Sequence, residues 1–205
     1  MKLVYKSSSS FHDKLLLLSI LRHHFYQILA PLILAQYFGP VSAFAFDEEV
    51  EPDKAIRSYL AAMYEGMKLS MNGGHLLKVG GQQSEETRIK VKEILHKKGN
   101  VYAALDMVNP LFGKNTKAVL KTSYFETDIL IGIISLGIKY NAQFTFPFIS
   151  LREDGRLKFE LFNLTGNTVN EVIDSFRNIF ESLILRDFTV WEGASLLSFK
   201  DGRFA

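Results

Sequence analysis

The sequence predicts an α+β fold in which an antiparallel sheet is covered by one long helix, and three patterns carry that expectation. The runs Asn141 to Arg152 and Arg156 to Leu164 flank Asp154-Gly155, which reads as a two-residue type I′ hairpin turn. Val169, Val172, Ile173, Phe176, Ile179, Phe180 and Leu183 recur three and four residues apart, marking a helix over about 168–185 with a wide apolar stripe. Two shorter helical patterns precede the hairpin, and a short strand pair follows the long helix.

The first of the two N-terminal helices starts near Pro52-Asp53. Proline suits a first turn, and an acid complements the positive end of the helix dipole. Ile56, Tyr59, Leu60, Met63 and Met67 form its expected inner stripe, and Asn72-Gly73-Gly74 stops it. His75 to Gln83 lies between two glycine pairs and reads as a short strand or ordered loop. No Lys-Ser/Thr follows Gly80-Gly81, so a phosphate loop is not supported. Ser84 reads as the N-cap of the second helix, with Glu85 and Glu86 in the first turn and His96, Lys97 and Lys98 in the last. Ile89, Ile94 and Leu95 are its expected core residues, with Val91 at the margin.

Val101 to Val108 fits either a helix or a strand, ended by Asn109-Pro110. Asn115 to Glu126 alternates in the manner of a strand, and Ile129 to Ile138 reads as a strand buried on both faces. In the hairpin, a two-residue turn sets Glu153 opposite Arg156. It then pairs Arg152 with Leu157, Ser150 with Phe159 and Phe148 with Leu161. Phe144, Phe146, Phe148, Leu157, Phe159 and Leu161 would therefore share one face. Pro147 lacks a donor, which suggests an edge strand or a bulge. Asn167 or Thr168 caps the long helix, and Thr189 to Trp191 and Ala194 to Phe199 supply the final strands.

The N-terminal segment reads as an address. Leu15 to Leu21 and the uncharged run Ile28 to Phe46 are apolar, and the second ends in Ala43-Phe44-Ala45 ahead of Asp47-Glu48-Glu49. A basic flank, an apolar run, the Gly39-Pro40 break and a small-x-small triplet are the order of a signal peptide, with cleavage expected after Ala45. A retained membrane anchor and a soluble core helix are the other two readings of this stretch. The expected division is thus residues 1–45 as signal peptide or anchor and residues 46–205 as a single α+β domain. Residues 1–46 hold four basic side chains against one acidic, a balance of +3, so the rest of the chain is −1.

The 205 residues have a net charge of +2, too small to point to nucleic acid, and no cysteine, which excludes disulfides and thiolate metal sites. Seventeen Phe and eight Tyr predict an aromatic core. Lys and Arg do not interleave with Phe144, Phe146 and Phe148, so a base-stacking platform is not supported either. Histidines and carboxylates show no metal-ligand spacing, and no serine sits in Gly-x-Ser-x-Gly. No catalytic residue, metal or cofactor is therefore assigned. Asn163-Leu164-Thr165 matches a glycosylation sequon.

These readings lead to an exported periplasmic or envelope protein of bacterial type that binds without catalysis. Its target would be a partner protein or a small apolar ligand, with membrane contact only through residues 1–46 if they stay uncleaved. Phe144, Phe148, Phe176 and His75 are the candidate binding residues, the three rings lining a cavity between sheet and long helix. A cytoplasmic or membrane-attached chaperone-like adaptor that keeps residues 1–46 is the first alternative. An enzyme assembled from His75, Asp106, Glu126 or Asp128 is the second.

Overall fold

The computed structural model describes residues 15–19, 25–46, 48–79, 84–105, 117–123, 125–152, 154–186 and 198–199. Strand β1 (Leu15–Ser19) leads to helix α1 (Phe25–Phe38), strand β2 (Val41–Phe46), a 3-10 turn (Glu48–Val50) and helix α2 (Lys54–Ser70). Strand β3 (Leu76–Val79), helix α3 (Ser84–His96) and strand β4 (Asn100–Ala104) follow. Then come β5 (Lys117–Lys121), β6 (Phe125–Leu130), α4 (Gly132–Lys139), β7 (Gln143–Leu151), β8 (Leu157–Leu164), α5 (Val169–Arg186) and β9 (Ser198–Phe199).

Mixed helix and strand is as expected, but the principal sheet is not antiparallel. Six strands lie in the order β3-β2-β4-β1-β7-β8, and β5, β6 and β9 form a small second sheet. In the larger sheet β1, β2, β3, β4 and β7 run parallel, and only β8 is antiparallel to its neighbour. Parallel strands covered on both faces read as continuous apolar runs, without the alternation that marks a half-exposed strand. Leu15 to Ser19 and Val41 to Phe46 have that composition, which is also the composition of a leader.

Helices cover both faces. Ala30, Ile33, Leu34 and Ala35 of α1 pack with Val41, Ala43, Met71, Tyr102, Ile149 and Phe159 on one face, joined by Met67 of α2. On the other, Val91 and Leu95 of α3, Ile133 and Ile134 of α4 and the stripe of α5 pack with Leu77, Val101, Ala103 and the phenylalanines of β7. From β1 to β2 to β3 the chain moves towards one edge of the sheet, and from β3 through β4 to β7 it moves back. Right-handed crossovers then require opposite faces for the two sets of helices, as observed.

Residues ahead of 46 also take part in the described fold. Residues 41–46 form β2, between β3 and β4, and α1 covers one face of the sheet. Asn100 Nδ2 ties the turn between them by donating to the carbonyls of Phe38, at 3.1 Å, and Pro40, at 3.2 Å. Among the described residues no helix is long and apolar enough to cross a membrane.

The hairpin exists, with a register one residue away from the expected one. Arg152 N–H donates to Arg156 O at 2.8 Å, and Leu151 pairs with Leu157, Ile149 with Phe159 and Pro147 with Leu161. The connection therefore spans residues 153–155, with Gly155 at φ 74°, the three-residue loop with a left-handed glycine. A shift of one residue turns a strand over. Phe144, Phe146 and Phe148 face α4 and α5, while Leu157, Phe159 and Leu161 face α1. Pro147 is tolerated inside the sheet because the β1 pairing of β7 covers only Gln143 to Thr145.

Other elements depart locally. Residues 129–138 are not one strand: β6 ends at Leu130, and Ile133, Ile134 and Gly137 of α4 are buried at helical spacing. Asn141 lies outside β7, at φ 50°, because α4 ends there with Ala142 N–H on Gly137 O. In α3 the buried positions are Thr87, Val91 and Leu95, while Ile89 is exposed. In α2 the buried residue is Tyr64, and Ile56 and Tyr59 are exposed. The strands expected at 189–191 and 194–197 lie outside the described residues; Ser198–Phe199 pairs with β6.

The α5 stripe is as expected, with Val172, Ile173, Phe176, Phe180 and Leu183 buried. Its start is a capping box: Thr168 Oγ1 accepts from Glu171 N–H at 3.3 Å, and Glu171 Oε2 accepts from Asn167 N–H at 2.7 Å and Thr168 N–H at 3.1 Å. The backbone donors of Asn167 and Thr168 hold the Glu171 carboxyl below its ordinary value. Its contribution to stability is therefore complete above the unfolded-state pKa and lost as pH falls through the lower folded-state value. Urea unfolding of Glu171→Gln should show a smaller loss of stability between about pH 5 and pH 3 than the parent chain shows.

Gly74 joins α2 to β3 where a Cβ would lie 2.0 Å from the Val41 carbonyl oxygen. That oxygen belongs to backbone and cannot swing aside. Gly74→Ala should cost at least about 2 kcal/mol in urea unfolding, as strain at the entry to β2 and β3.

Candidate functional site

In an open parallel sheet a crevice forms at the carboxyl ends of neighbouring strands whose connections leave towards opposite faces. Here β1 and β2 are followed by α1 and α2 on one face, β3 by α3 on the other, and β4 by β5 and β6 and then α4 on that second face. The order β3-β2-β4-β1 alternates the two kinds, so the chain diverges at each of these junctions. The strands end at Val79, Phe46, Ala104 and Ser19. The 3-10 turn Glu48–Val50 and the first turns of α2 and α3 follow β2 and β3, so they start from this edge.

An ion pair stands there. Lys78 Nζ of β3 lies 2.6 Å from Glu48 Oε1, with side-chain exposures of 22% and 15%. Glu48 Oε2 is buried and has no hydrogen-bond partner among the described residues. Burial pushes the Glu48 carboxyl up, but the Lys78 hydrogen bond, the residue's own backbone N–H and the charges of Lys78 and Lys68 outweigh it, and the carboxyl sits below its ordinary value. The Lys78 carbonyl accepts from Thr87 Oγ1 of α3, so the lysine's backbone is held while its side chain holds Glu48. The N-cap of α2 adds Asp53, whose Oδ1 accepts from Ala55 N–H at 2.7 Å and Ile56 N–H at 3.0 Å, and the first turn of α3 adds Glu86 and Glu85, the latter paired with Arg88. The edge thus presents a partly desolvated carboxylate held by Lys78.

The residues proposed from sequence lie elsewhere. Phe144, Phe148 and Phe176 are 4%, 1% and 0% exposed inside the core beneath α5. The Phe176 ring is 4.8 Å from that of Phe146 and 5.6 Å from that of Phe180. His75 is exposed at the entry to β3, the opposite end of that strand from Glu48. Its backbone N–H donates to Ser42 Oγ at 3.0 Å and its carbonyl accepts from Ala43 N–H at 2.9 Å. Glu126 and Asp128 are on β6 of the second sheet, where Glu126 faces Lys121 at 3.4 Å. Asp106 lies outside the described residues. Among the described residues, His75 is therefore not brought to the β6 acids, and no group of three His, Asp or Glu side chains is placed to hold a metal ion.

Sequence reasoning missed Glu48 and Lys78. Lys78 had a faint signal, as the one charged residue in the apolar run Leu76–Val79. Glu48 had none, being one acid among Asp47, Glu48 and Glu49. A second buried polar atom, Thr145 Oγ1 on β7, has no hydrogen-bond partner among the described residues and lies beneath the fully covered sheet.

No protein-family model matches the chain, and no curated protein matches its sequence.

Replacing Lys78 removes the cation opposing Glu48. Lys78→Met should lower stability at neutral pH by about 1 kcal/mol, between the effects of surface and buried pairs. It should also raise the Glu48 carboxyl pKa, read by NMR titration. Because the parent pKa is depressed, the lost stability is that present above the unfolded-state pKa, so the variant should lose less on acidification than the parent does.

Proposed function

We propose that this chain is a binding protein that seats a small polar ligand at the carboxyl edge of the six-stranded sheet, and that it keeps residues 15–46 while doing so. The observation that carries the reading is the divergence of the connections after β1, β2, β3 and β4 at that edge. The Glu48–Lys78 pair, Asp53 at the N-cap of α2 and the acids in the first turn of α3 favour a ligand rich in hydrogen-bond donors, such as an amine or polyol. Retention is supported by what cleavage after Ala45 would remove: β1, α1 and most of β2. The small-x-small triplet Ala43-Phe44-Ala45 favours the exported reading instead.

Two measurements test the proposal. Intact mass of the chain expressed in an export-competent host should retain residues 15–46; a product beginning at Phe46 would sink retention and sustain export. Backbone NMR of the full chain, titrated with amino acids, polyamines and sugars, should show shifts clustered at Glu48, Lys78, Val79, Ala104 and Leu105, lost in Glu48→Gln. Shifts clustered at His75 or beneath α5, or none with any of these probes, would overturn the edge site.

A further inference from the structure

The turn that joins α2 to β3 carries the chain's single Asn-Gly pair, Asn72-Gly73. Both residues are exposed, at the tip of a connection whose two sides are fixed. On one side Met71 is buried against α1, and its carbonyl accepts from Gly74 N–H at 3.0 Å and Val41 N–H at 3.5 Å. On the other, Gly74 lies so close to the Val41 carbonyl that no Cβ fits. Between these anchors Asn72 and Gly73 take left-handed backbone angles, φ 51° and φ 85°.

Asparagine followed by glycine is chemically labile, because the backbone nitrogen of the second residue can attack the side-chain carboxamide of the first. Folded structure guards against this in two ways. Hydrogen bonds hold the carboxamide and the N–H in place, and a side chain on the second residue crowds the approach. Neither guard stands at Asn72-Gly73. Among the described residues no hydrogen bond engages the Asn72 carboxamide or the Gly73 N–H. Gly73 has no side chain, and a Cβ built there would meet nothing within 4 Å. By contrast Asn100 donates to the carbonyls of Phe38 and Pro40 and precedes valine. Asn141, Asn163, Asn167, Asn170 and Asn178 all precede residues that carry side chains.

We propose that Asn72 is a site of spontaneous modification, at which the folded chain forms a succinimide with Gly73 and converts to aspartate and isoaspartate. The Gly73 nitrogen bonds to Asn72 Cγ, the Cγ–Nδ2 bond breaks, and ammonia leaves with the amide proton. Water then opens the ring. Opening at Cγ restores the ordinary backbone with a carboxylate in place of the carboxamide. Opening at the main-chain carbonyl routes the backbone through the side chain and lengthens it. Each product acts on what the turn supports. A carboxylate at position 72 sits just beyond the carboxyl end of α2, where the helix dipole disfavours negative charge. Isoaspartate lengthens a connection pinned at Met71 and Gly74, and so disturbs the entry to β2 and β3. The reaction needs only water and does not rest on the ligand site.

Peptide mapping by mass spectrometry of the full chain, aged at mildly alkaline pH, should find conversion of amide to acid at Asn72 ahead of every other asparagine. The product should form faster as pH rises, because the attacking nitrogen gives up its proton. The same chain unfolded in guanidinium sets the rate of the unprotected dipeptide. Native chain should react within about fivefold of that rate, since no hydrogen bond has to open first. Asn72→Gln should leave no product at this position. A native chain that keeps Asn72 intact while the unfolded chain reacts would overturn the proposal, as would faster conversion at another asparagine.

Discussion

The backbone ladder from β2 to β3 on one side and β4 on the other holds the architecture together. Val41, Ser42 and Ala43 pair with Asn100, Val101 and Tyr102, while Ala43 through Phe46 pair with Leu76 through Val79. Without β2, β3 has no neighbour in the sheet. A strand in this position has to be apolar on both faces, because α1 covers one and the α3 side the other. The absence of charge from residues 30–35 and 41–45 is accounted for by burial between layers. The same absence is what makes the stretch resemble a leader when it is read in isolation.

That insertion also creates the edge at which the proposed ligand would sit. The chain leaves β2 towards α2 and enters β3, then turns back towards β4 through α3 on the other face. Reversal of direction at this edge sets Glu48 against Lys78, thirty residues further along. The lysine's carbonyl is fixed by Thr87, so strand, turn and helix are joined at one point. In that setting burial pushes the carboxyl up, and the Lys78 ammonium is the largest of the effects that bring it below its ordinary value.

Much of the local structure was legible in the sequence. The α5 stripe, the Asp53 and Thr168 ends of α2 and α5, the α3 limits at Ser84 and His96, and the existence of the β7–β8 hairpin rest on interactions within about four residues, which spacing encodes directly. The hairpin register was not legible, because Asp154-Gly155 serves a two-residue and a three-residue loop alike, and the difference reverses a whole strand. For the same reason the aromatic face was half right: Phe144, Phe146 and Phe148 share one side, and Leu157, Phe159 and Leu161 fell on the other. Residues 129–138 failed because a short run rich in isoleucine has no period that separates strand from helix.

By itself the sequence determined that α2, α3 and α5 are helical, where they begin, and that a dense aromatic core would form beneath α5, since each depends on neighbours close along the chain. The tertiary structure alone decided that residues 41–46 are an interior strand, that the main sheet is parallel, and that Glu48 meets Lys78. Parallel pairing joins segments through crossovers of a dozen residues or more, and its partners leave no mark on one another's composition.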